Sequence, residues 1–252
     1  MKKNTPIDVC IVSGSRPFLL EAMLESFQRN LFVNFQIRSM FANVDPFMGD
    51  QRDQEKCVEL IRDRFPEAVI SSPSKSGFGA AVKRLWLQAR DEPILHLEDD
   101  WILKEKVTDA VLDEFREDGR LGMLVLSMDK HDAEITPKYL TRRKEIRIFG
   151  QRLPLPFWRV NAFGTSPRFL RSGLANRFAK EMIPDLDPEK QVFRGKNKQL
   201  SALHEKWRSK LLWSSDKKTL ISDIGTVYRE EHGYRKNELD GMSVWLPEEK
   251  SS

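Results

Sequence analysis

The sequence has few of the features that cross-link a protein or anchor it in a membrane. Only two of its 252 residues are cysteine, Cys10 in a predicted strand and Cys57 on a predicted helix, which favours free thiols in a reducing compartment. No apolar run approaches the roughly 20 residues that cross a bilayer, and the run near the N-terminus is too short for a secretory signal. These absences predict a cytoplasmic protein without a transmembrane segment, whose membrane contact is at most peripheral.

Acidic residues are nearly absent from one part of the chain. Residues 142–177, which we call the basic segment, hold nine Arg and Lys side chains but a single acid, so the segment carries +8 in a chain of net charge +4. The aromatic residues interleaved with these charges are Phe149, Phe157, Trp158, Phe163 and Phe169. This mixture suggests a polyanionic partner such as nucleic acid. The alternative is that the arginines pair with acids elsewhere in the fold, since the rest of the chain is net acidic, or face a bound diphosphate.

Strand and helix patterns alternate through the first half of the chain. The predicted strands are 7–14, 35–45, 68–72, 93–97 and 122–127, and the predicted helices are 15–30, 50–65, 76–92 and 104–118. With 40% hydrophobic residues to bury, this order predicts an α/β protein with a mostly parallel sheet flanked by helices. Beyond residue 130 the alternation stops, and helices are predicted only at 167–182 and 196–211.

The most informative stretch is PILHLEDDWIL, residues 93–103, in which Glu98, Asp99 and Asp100 follow an apolar strand. Carboxylates about 4 Å apart repel by roughly 4 kcal/mol at an effective dielectric near 20, so a chain that gathers them usually holds a cation. Open α/β sheets bind ligands at the carboxyl ends of their strands. The triplet therefore predicts a Mg²⁺ or Mn²⁺ site completed by phosphate oxygens. The alternative is that Asp99 or Asp100 only caps the following turn.

The order of these motifs resembles a known family. The motifs are a first strand followed by SGSRP, a second strand ending in NVD, and the run GFGAAVKRLWLQARDEPILHLEDDW. They are similar to the nucleotide-sugar half of GT-A-fold glycosyltransferases, particularly the family 2-like group, over roughly residues 7–130. The resemblance implies a Rossmann-like, GT-A-like fold. Residues 1–130 would bind the nucleotide-sugar, and residues 131–252 would form an irregular, helix-containing acceptor lobe of the same domain.

The resemblance also implies roles for individual residues. Donor contacts would come from Ser13, Ser15, Arg16, Asp45, Gly77, Gly79, Lys83, Asp99, Arg229 and Lys236. Metal ligands would come from Asp100, Glu98, Asp223 and His232. Asp100 is the firmer assignment, because Glu98 stands where the family usually has Asp. Simpler alternatives exist: Arg16 as a surface charge, Asp45 as a turn former before Pro46, His232 as a structural residue, and Gly77 and Gly79 as turn residues.

A catalytic base is sought among the acids of IPDLDPEKQVF, residues 183–193. An inverting transfer needs a carboxylate within hydrogen-bond reach of the acceptor hydroxyl. Of Asp185, Asp187 and Glu189 we expect Glu189 to be the base, with Asp187 as the second choice. The alternative is an acidic loop that caps a helix at Pro188.

Together these features predict a metal-dependent, inverting glycosyltransferase that moves a hexosyl or pentosyl group from a nucleoside diphosphate sugar, with a UDP-sugar favoured, to a hydroxyl acceptor. The basic segment suggests a hydroxymethylated base in phage DNA as acceptor, and glycan, lipid-linked and protein acceptors stay open. One rival is a nucleotidyltransferase, for which SGSRP is a poor version of the usual Gly-rich, basic loop. The other is a non-catalytic nucleic-acid-binding protein, which would leave the acidic triplet unexplained.

Overall fold

The computed structural model describes residues 5–89, 92–148, 151–239 and 242–247, with side chains described outside 143–158 and 236–247. The strands in these ranges are β1 (Pro6–Ser13), β2 (Gln36–Val44), β3 (Val69–Ser71), β4 (Ile94–Glu98), β5 (Trp101–Leu103), β6 (Leu121–Leu126), β7 (Thr141–Ile148), β8 (Gln151–Asn161), β9 (Arg168–Leu170), β10 (Arg208–Leu212), β11 (Ile221–Asp223), β12 (Tyr234–Leu239) and β13 (Met242–Pro247). The α-helices are α1 (Pro17–Asn30), α2 (Gln51–Arg64), α3 (Phe78–Gln88), α4 (Glu114–Glu117), α5 (Leu174–Glu181), α6 (Pro188–Phe193), α7 (Lys198–His204) and α8 (Gly225–Glu231).

A seven-stranded, mostly parallel sheet lies at the centre of the protein. Its strand order is β10-β6-β9-β4-β1-β2-β3. β1 pairs in parallel with β2 and β4, and β6 pairs in parallel with β10. β9 alone in this sheet runs antiparallel to its neighbours, β4 and β6. The predicted α/β class is therefore confirmed, and the carboxyl ends of β1, β2, β4 and β6 meet at one edge of the sheet.

Two apolar cores cover the two faces of this sheet. Successive side chains of a strand point to opposite faces, so Ile11 of β1 lies in the core beneath α1 and α2, whereas Cys10 lies in the core beneath α3 and α5. Phe27 of α1 and Trp86 of α3 are fully buried in these two cores. Burying such a side chain stabilises the fold by roughly 1.5–3 kcal/mol. Both layers therefore fix the position of β1, whose end supplies part of the candidate site.

The second half of the chain differs from the sequence-based expectation. The helix predicted at 167–182 begins only at Leu174, because residues 168–170 form the buried strand β9. The helix predicted at 196–211 ends at His204, and the residues that follow form the edge strand β10. Strands of three to five residues carry little periodicity, so pairing with β4 and β6 decided their structure.

The basic segment begins with a β-hairpin that the sequence did not indicate. β7 pairs with β8 in antiparallel register, with Thr141 opposite Asn161.

The helix predicted at 104–118 is also absent as such, since a 3-10 turn at Asp109–Asp113 precedes the single turn of α4. In the described ranges, no helix combines the length and apolarity that a bilayer crossing demands.

One buried histidine lies at the end of α7. His204 is 1% exposed, and its ring meets the rings of Phe163 and Phe178 at centroid distances of 5.2 and 6.3 Å. Burial lowers the pKa of His204 to about 4, against a smaller rise from a hydrogen bond with Ala162, and the charges of Arg168 and Arg142 lower it further. The imidazole is therefore neutral in the folded protein near neutral pH.

This neutrality predicts a loss of stability in mild acid. The unfolded chain protonates His204 near pH 6.5, whereas the folded protein resists protonation down to about pH 4, so the stability that this residue contributes is complete above pH 6.5 and is lost as the pH falls towards 4. The unfolding free energy of the wild type should fall between pH 7.5 and pH 5, and in His204→Gln this fall should be smaller by about 2 kcal/mol, as measured by urea titrations. The exposed His232→Gln is the control, and an equal decrease in all three proteins would contradict the assignment.

Candidate functional site

The candidate site lies where β1, β2 and β4 end side by side. The Asp45 amide donates to the Ser13 carbonyl at 2.8 Å, and the Asp99 amide donates to the Val12 carbonyl at 3.0 Å. These two backbone bonds hold the residues that follow β2 and β4 against the end of β1. The acidic triplet and Asp45 are thereby brought to the sheet edge at which open α/β proteins bind their ligands.

Asp99 holds the loop after β1 in place. Its carboxylate accepts hydrogen bonds from the Ser13 hydroxyl and the Gly14 amide, both at 2.8 Å, and from the Arg16 guanidinium. Asp99 is 1% exposed. Burial by itself would lower the pKa of Arg16, but the charges of Asp99 and Asp100 outweigh it and raise that pKa above its ordinary value. Asp99 is thus a fully engaged carboxylate that directs Arg16 into the site.

The loop after β1 is turned sharply at Ser15. Its φ of 55° lies in the left-handed region, which is uncommon for a residue with a side chain. The Ser15 hydroxyl donates to the Asp45 carbonyl at 2.7 Å, which helps to offset the cost of that conformation. The predicted donor-contact residues Ser13, Ser15 and Arg16 are therefore gathered in one loop beside Asp45.

Asp100 contacts two arginines from opposite ends of the sequence. Its Oδ2 atom lies 3.3 Å from Arg16 Nη2 and 2.9 Å from Arg229 Nη1. Its Oδ1 atom is buried and has no hydrogen-bond partner within the described part of the chain. Arg229 lies on α8, where it also donates to the Thr226 hydroxyl at 3.0 Å. The structure thus brings together Arg16, Asp100 and Arg229, three of the residues predicted for the site.

Gly225 allows this close approach. A Cβ atom added to Gly225 would lie 2.2 Å from Asp100 Oδ2 and 2.7 Å from Arg229 Nη1. Only a residue without a side chain fits between α8 and the acidic triplet. The Ile224 amide, one residue earlier, donates to the Asp100 backbone carbonyl at 2.9 Å.

The other two predicted metal ligands of the C-terminal region have different partners. Asp223 accepts from the Gly225 and Thr226 amides at 2.8 and 3.1 Å, so it caps α8, and it lies 3.9 Å from Arg229. His232 is exposed at the far end of α8, stacked on Tyr228 with ring centroids 3.9 Å apart. The side chain of Lys236 lies outside the described ranges.

Asp45 joins β2 to the start of α3. Its carboxylate accepts from the Asn43 amide at 2.7 Å and from the Gly77 backbone amide at 3.0 Å. Gly79 packs differently, since an added Cβ would lie 2.2 Å from the Leu186 carbonyl. Lys83 donates to the Met182 carbonyl at 2.6 Å. Asp45 and Gly77 therefore belong to the sheet edge, whereas Gly79 and Lys83 tie α3 to the chain after α5.

Glu98 and Glu189 meet around Thr165. The Thr165 amide and hydroxyl donate to Glu189 Oε1 at 2.9 and 3.2 Å, and the Thr165 side chain also bonds Glu98. Burial raises the pKa of Glu98 well above its usual range, and the charges of Asp100 and Glu189 raise it further. Burial and these neighbouring charges therefore favour the neutral form of Glu98, which lies close to the carboxylate predicted to be the base.

Asp187 has a structural role in α6. Its side chain accepts from the Glu189 and Lys190 amides at 2.9 and 3.2 Å, which makes it the N-cap of that helix. This contact matches the alternative of an acidic loop that caps a helix at Pro188. Asp185 is exposed.

Sequence reasoning missed Thr165 and Arg168. Arg168 is 3% exposed on β9, and an added Cβ on Gly164 would lie 2.6 Å from its guanidinium and 3.2 Å from Glu189 Oε1. Burial lowers the pKa of Arg168 to about 10, although the charges of Glu189 and Glu98 support its charged form. The available signal was an arginine placed directly before the apolar pair Phe169 and Leu170.

Several arginines of the basic segment are used by the fold. Arg142 donates to the Phe193 carbonyl at 3.2 Å and lies 4.1 Å above the Phe193 ring. Arg171 donates to the Leu121 carbonyl at 2.7 Å and to the Asp118 carbonyl at 2.6 Å. The side chains of Arg143, Lys144, Arg147, Phe157 and Trp158, and residue Phe149, lie outside what the structure describes.

A divalent cation fits this edge only in part. Among the described residues, no three His, Cys, Asp or Glu side chains are gathered to hold a metal ion. The buried Oδ1 atom of Asp100 nevertheless lacks a partner there, and a carboxylate oxygen is the ligand that Mg²⁺ and Mn²⁺ prefer. Asp100 can therefore contribute to a metal site whose remaining ligands come from a bound phosphate compound.

Comparisons with known proteins agree with this architecture. Neither a family model nor a curated protein matches the chain. The mannosyltransferase PcManGT from Pyrobaculum calidifontis, in complex with GDP-Man and Mn²⁺, is similar over 88% of this chain and 58% of its own, with a TM-score of 0.57 and 9% identity. S. aureus TarS 1–349 in complex with UDP is similar over 86% of this chain and 60% of its own, with a TM-score of 0.52 and 14% identity. S. aureus TarS 1–349 without a named ligand is similar over 89% of this chain and 62% of its own, with a TM-score of 0.51 and 16% identity.

These likenesses establish the fold. The predicted GT-A-like fold is confirmed, with its mostly parallel sheet and flanking helices. The chain spans about 60% of the length of these three structures.

The close approach at Gly225 gives a second prediction. Gly225→Ala would force apart Asp100 and Arg229, and overpacking of this kind typically destabilises a protein by about 1–3 kcal/mol. Gly119→Ala is the matched control, because an added Cβ there meets nothing within 4 Å. Urea unfolding of both variants should show a loss for Gly225→Ala alone, and equal stabilities would contradict the packing described here.

Proposed function

We propose that this protein is a glycosyltransferase that transfers a sugar from a nucleoside diphosphate sugar to an acceptor hydroxyl. The observation that carries this proposal is the cluster of Arg16, Asp99, Asp100 and Arg229 at the ligand-binding edge of a GT-A-like sheet. Two guanidinium groups at that edge suit a diphosphate, whose charge they can neutralise. The loop after β1 has a single glycine and a single arginine between Ser13 and Pro17, which does not favour a nucleotidyltransferase.

The donor would lie along the ends of β1 and β2. Two nitrogens of Arg16, Nε and Nη1, are buried without a hydrogen-bond partner in the described part of the chain. A buried unpaired donor costs about 1–3 kcal/mol, so phosphate oxygens that reach these nitrogens would be bound favourably. Asp45, 4% exposed at the end of β2, is the residue we assign to the ribose or base, and UDP is the nucleotide we favour.

A divalent cation would be held by Asp100 together with the donor phosphates. Mn²⁺ or Mg²⁺ bound there would supply positive charge to the leaving diphosphate. Arg16 and Arg229 act on the same group from the protein side. Asp99 keeps Arg16 in position through its hydrogen bonds with the loop after β1.

Glu189 is the residue we assign as catalytic base. Its carboxylate is oriented by two hydrogen bonds from Thr165, and Arg168 lies beside it. In the proposed step the acceptor oxygen forms a bond to the anomeric carbon while the bond from that carbon to the diphosphate oxygen breaks. The acceptor proton passes to Glu189. A single displacement of this kind inverts the anomeric configuration.

The acceptor is proposed only as a hydroxyl compound. Arg142, Arg168 and Arg171 of the basic segment have partners within the fold. A hydroxymethylated base in DNA would therefore depend on the other basic residues of the segment. These are the exposed Arg159 and Arg177, together with Arg143, Lys144, Arg147 and Arg152, whose side chains lie outside the described ranges.

Donor binding is the direct test of this proposal. We expect a nucleoside diphosphate sugar to raise the unfolding temperature, because a ligand at 100 times its Kd adds about 2.7 kcal/mol to the stability. UDP-, GDP-, TDP- and CMP-sugars should be compared with and without Mn²⁺, and free ribose serves as the control. No shift with any nucleotide-sugar would contradict the proposed function.

The assignment of the base gives a fourth prediction. Glu189→Gln should lower turnover by roughly 10²–10⁴ while sparing donor binding, since that is the usual effect of removing a general base. Asp187→Asn is the matched control from the same loop, and because Asn caps helices about as well as Asp, it should retain both stability and turnover. The reverse pattern of turnover would show that Asp187 is the base.

A further inference from the structure

Asp100 receives both of its arginines on the same oxygen. Oδ2 lies 2.9 Å from Arg229 and 3.3 Å from Arg16, while Oδ1 is buried and has no partner in the described ranges. The side chain of Asp100 is 9% exposed and that of Arg229 is 11% exposed. A charged carboxylate with one buried unpaired oxygen is costly. Oδ2 is therefore occupied by two guanidinium groups, whereas Oδ1 still lacks a ligand in the described ranges.

The cluster also contains more acids than bases. The carboxylates of Asp99, Asp100 and Asp223 pair with two guanidinium groups, those of Arg16 and Arg229. This excess of negative charge opposes the binding of a diphosphate, which is itself an anion. A donor would consequently bring a cation with it or require one to be present.

Asp100 alone cannot hold that cation firmly. Asp99 already accepts three hydrogen bonds, and Asp223 caps α8. A divalent ion bound to Asp100 would also repel the Arg229 guanidinium, because both would lie on one largely buried carboxylate, where water screens charge poorly. The ion and Arg229 therefore cannot both remain on the carboxylate of Asp100.

We infer that Arg229 occupies Asp100 as a resident counter-cation, that a divalent cation replaces it there, and that Arg229 then turns to the donor diphosphate. This inference rests on the proposed function. It adds that the metal and the nucleotide bind together, because each increases the affinity of the protein for the other. Arg229 is in this sense a positioning residue that prevents Asp100 from taking up metal in the absence of donor. Its position on the seven-residue helix α8, next to the Gly225 contact, allows the exchange to occur over a short distance.

The test measures the affinity for Mn²⁺ by calorimetry or electron paramagnetic resonance, first without and then with a nucleoside diphosphate, and needs no measurement of sugar transfer. For the wild-type protein we expect weak binding of Mn²⁺ that becomes at least about tenfold tighter in the presence of UDP or GDP, equivalent to about 1.4 kcal/mol. For Arg229→Ala we expect the affinity for Mn²⁺ alone to be at least about tenfold higher than that of the wild type, and the affinity for nucleotide to be lower. Arg229→Lys keeps the charge and should resemble the wild type. Arg64→Ala, which removes an arginine that pairs with Glu21 and Glu25 on the surface, is the remote control.

The outcomes separate the inference from the function beneath it. Equal Mn²⁺ affinity in the wild type and Arg229→Ala would overturn the exchange, even if nucleotides still bind. Failure of UDP, GDP, TDP and CMP to bind the wild type, with or without Mn²⁺, would instead overturn the proposed function. If Arg229→Ala does not fold, Arg229→Gln keeps a hydrogen-bond donor without the charge and should show the same gain in Mn²⁺ affinity. Independent binding of Mn²⁺ and nucleotide to the wild type would also overturn the inference.

Discussion

The hydrogen bonds around Asp99 are the interaction on which the candidate site depends. One buried carboxylate joins the end of β4 to the loop after β1 through Ser13, Gly14 and Arg16. Because all three donors lie within residues 13–16, loss of the carboxylate would remove several contacts of this short stretch at once. The positions of Arg16 and Asp100 follow from this bond set, and the packing of both apolar cores against β1 holds it in place.

Electrostatic balance is the second constraint. The acidic triplet contains one carboxylate whose hydrogen bonds are satisfied by the fold, one whose pKa is raised by burial and its neighbours, and one that is shared by two arginines. Three adjacent acids thus have three different environments. Such divergence is typical of functional sites, where neighbouring groups need different protonation states and charges.

The alternation of strands and helices up to β4 could be predicted because long apolar periods identify their own secondary structure. The helix predicted at 104–118 was wrong, since a 3-10 turn and one helical turn occupy that stretch. The short strands β9 and β10 could not be predicted, since three to five residues carry almost no period and are fixed by their neighbours in the sheet. Arg16, Asp99 and Asp100 could be placed together from strand ends alone. The contacts of Arg229 with Asp100 and of Thr165 with Glu189 span long sequence separations or irregular loops, so no local pattern indicates them.

The insertion of β9 has a consequence for how the protein folds. Residues 168–170 fill the place between β4 and β6, which are joined by no direct pairing in the sheet. A chain that has been synthesised only to residue 130 therefore lacks β9, the strand that pairs with the one leading into the acidic triplet. Contacts this distant in sequence raise the contact order and slow folding. The sheet beside the acidic triplet cannot be completed before residues 168–170 are present, and until then β4 and β6 each have an unpaired edge of the kind that favours aggregation.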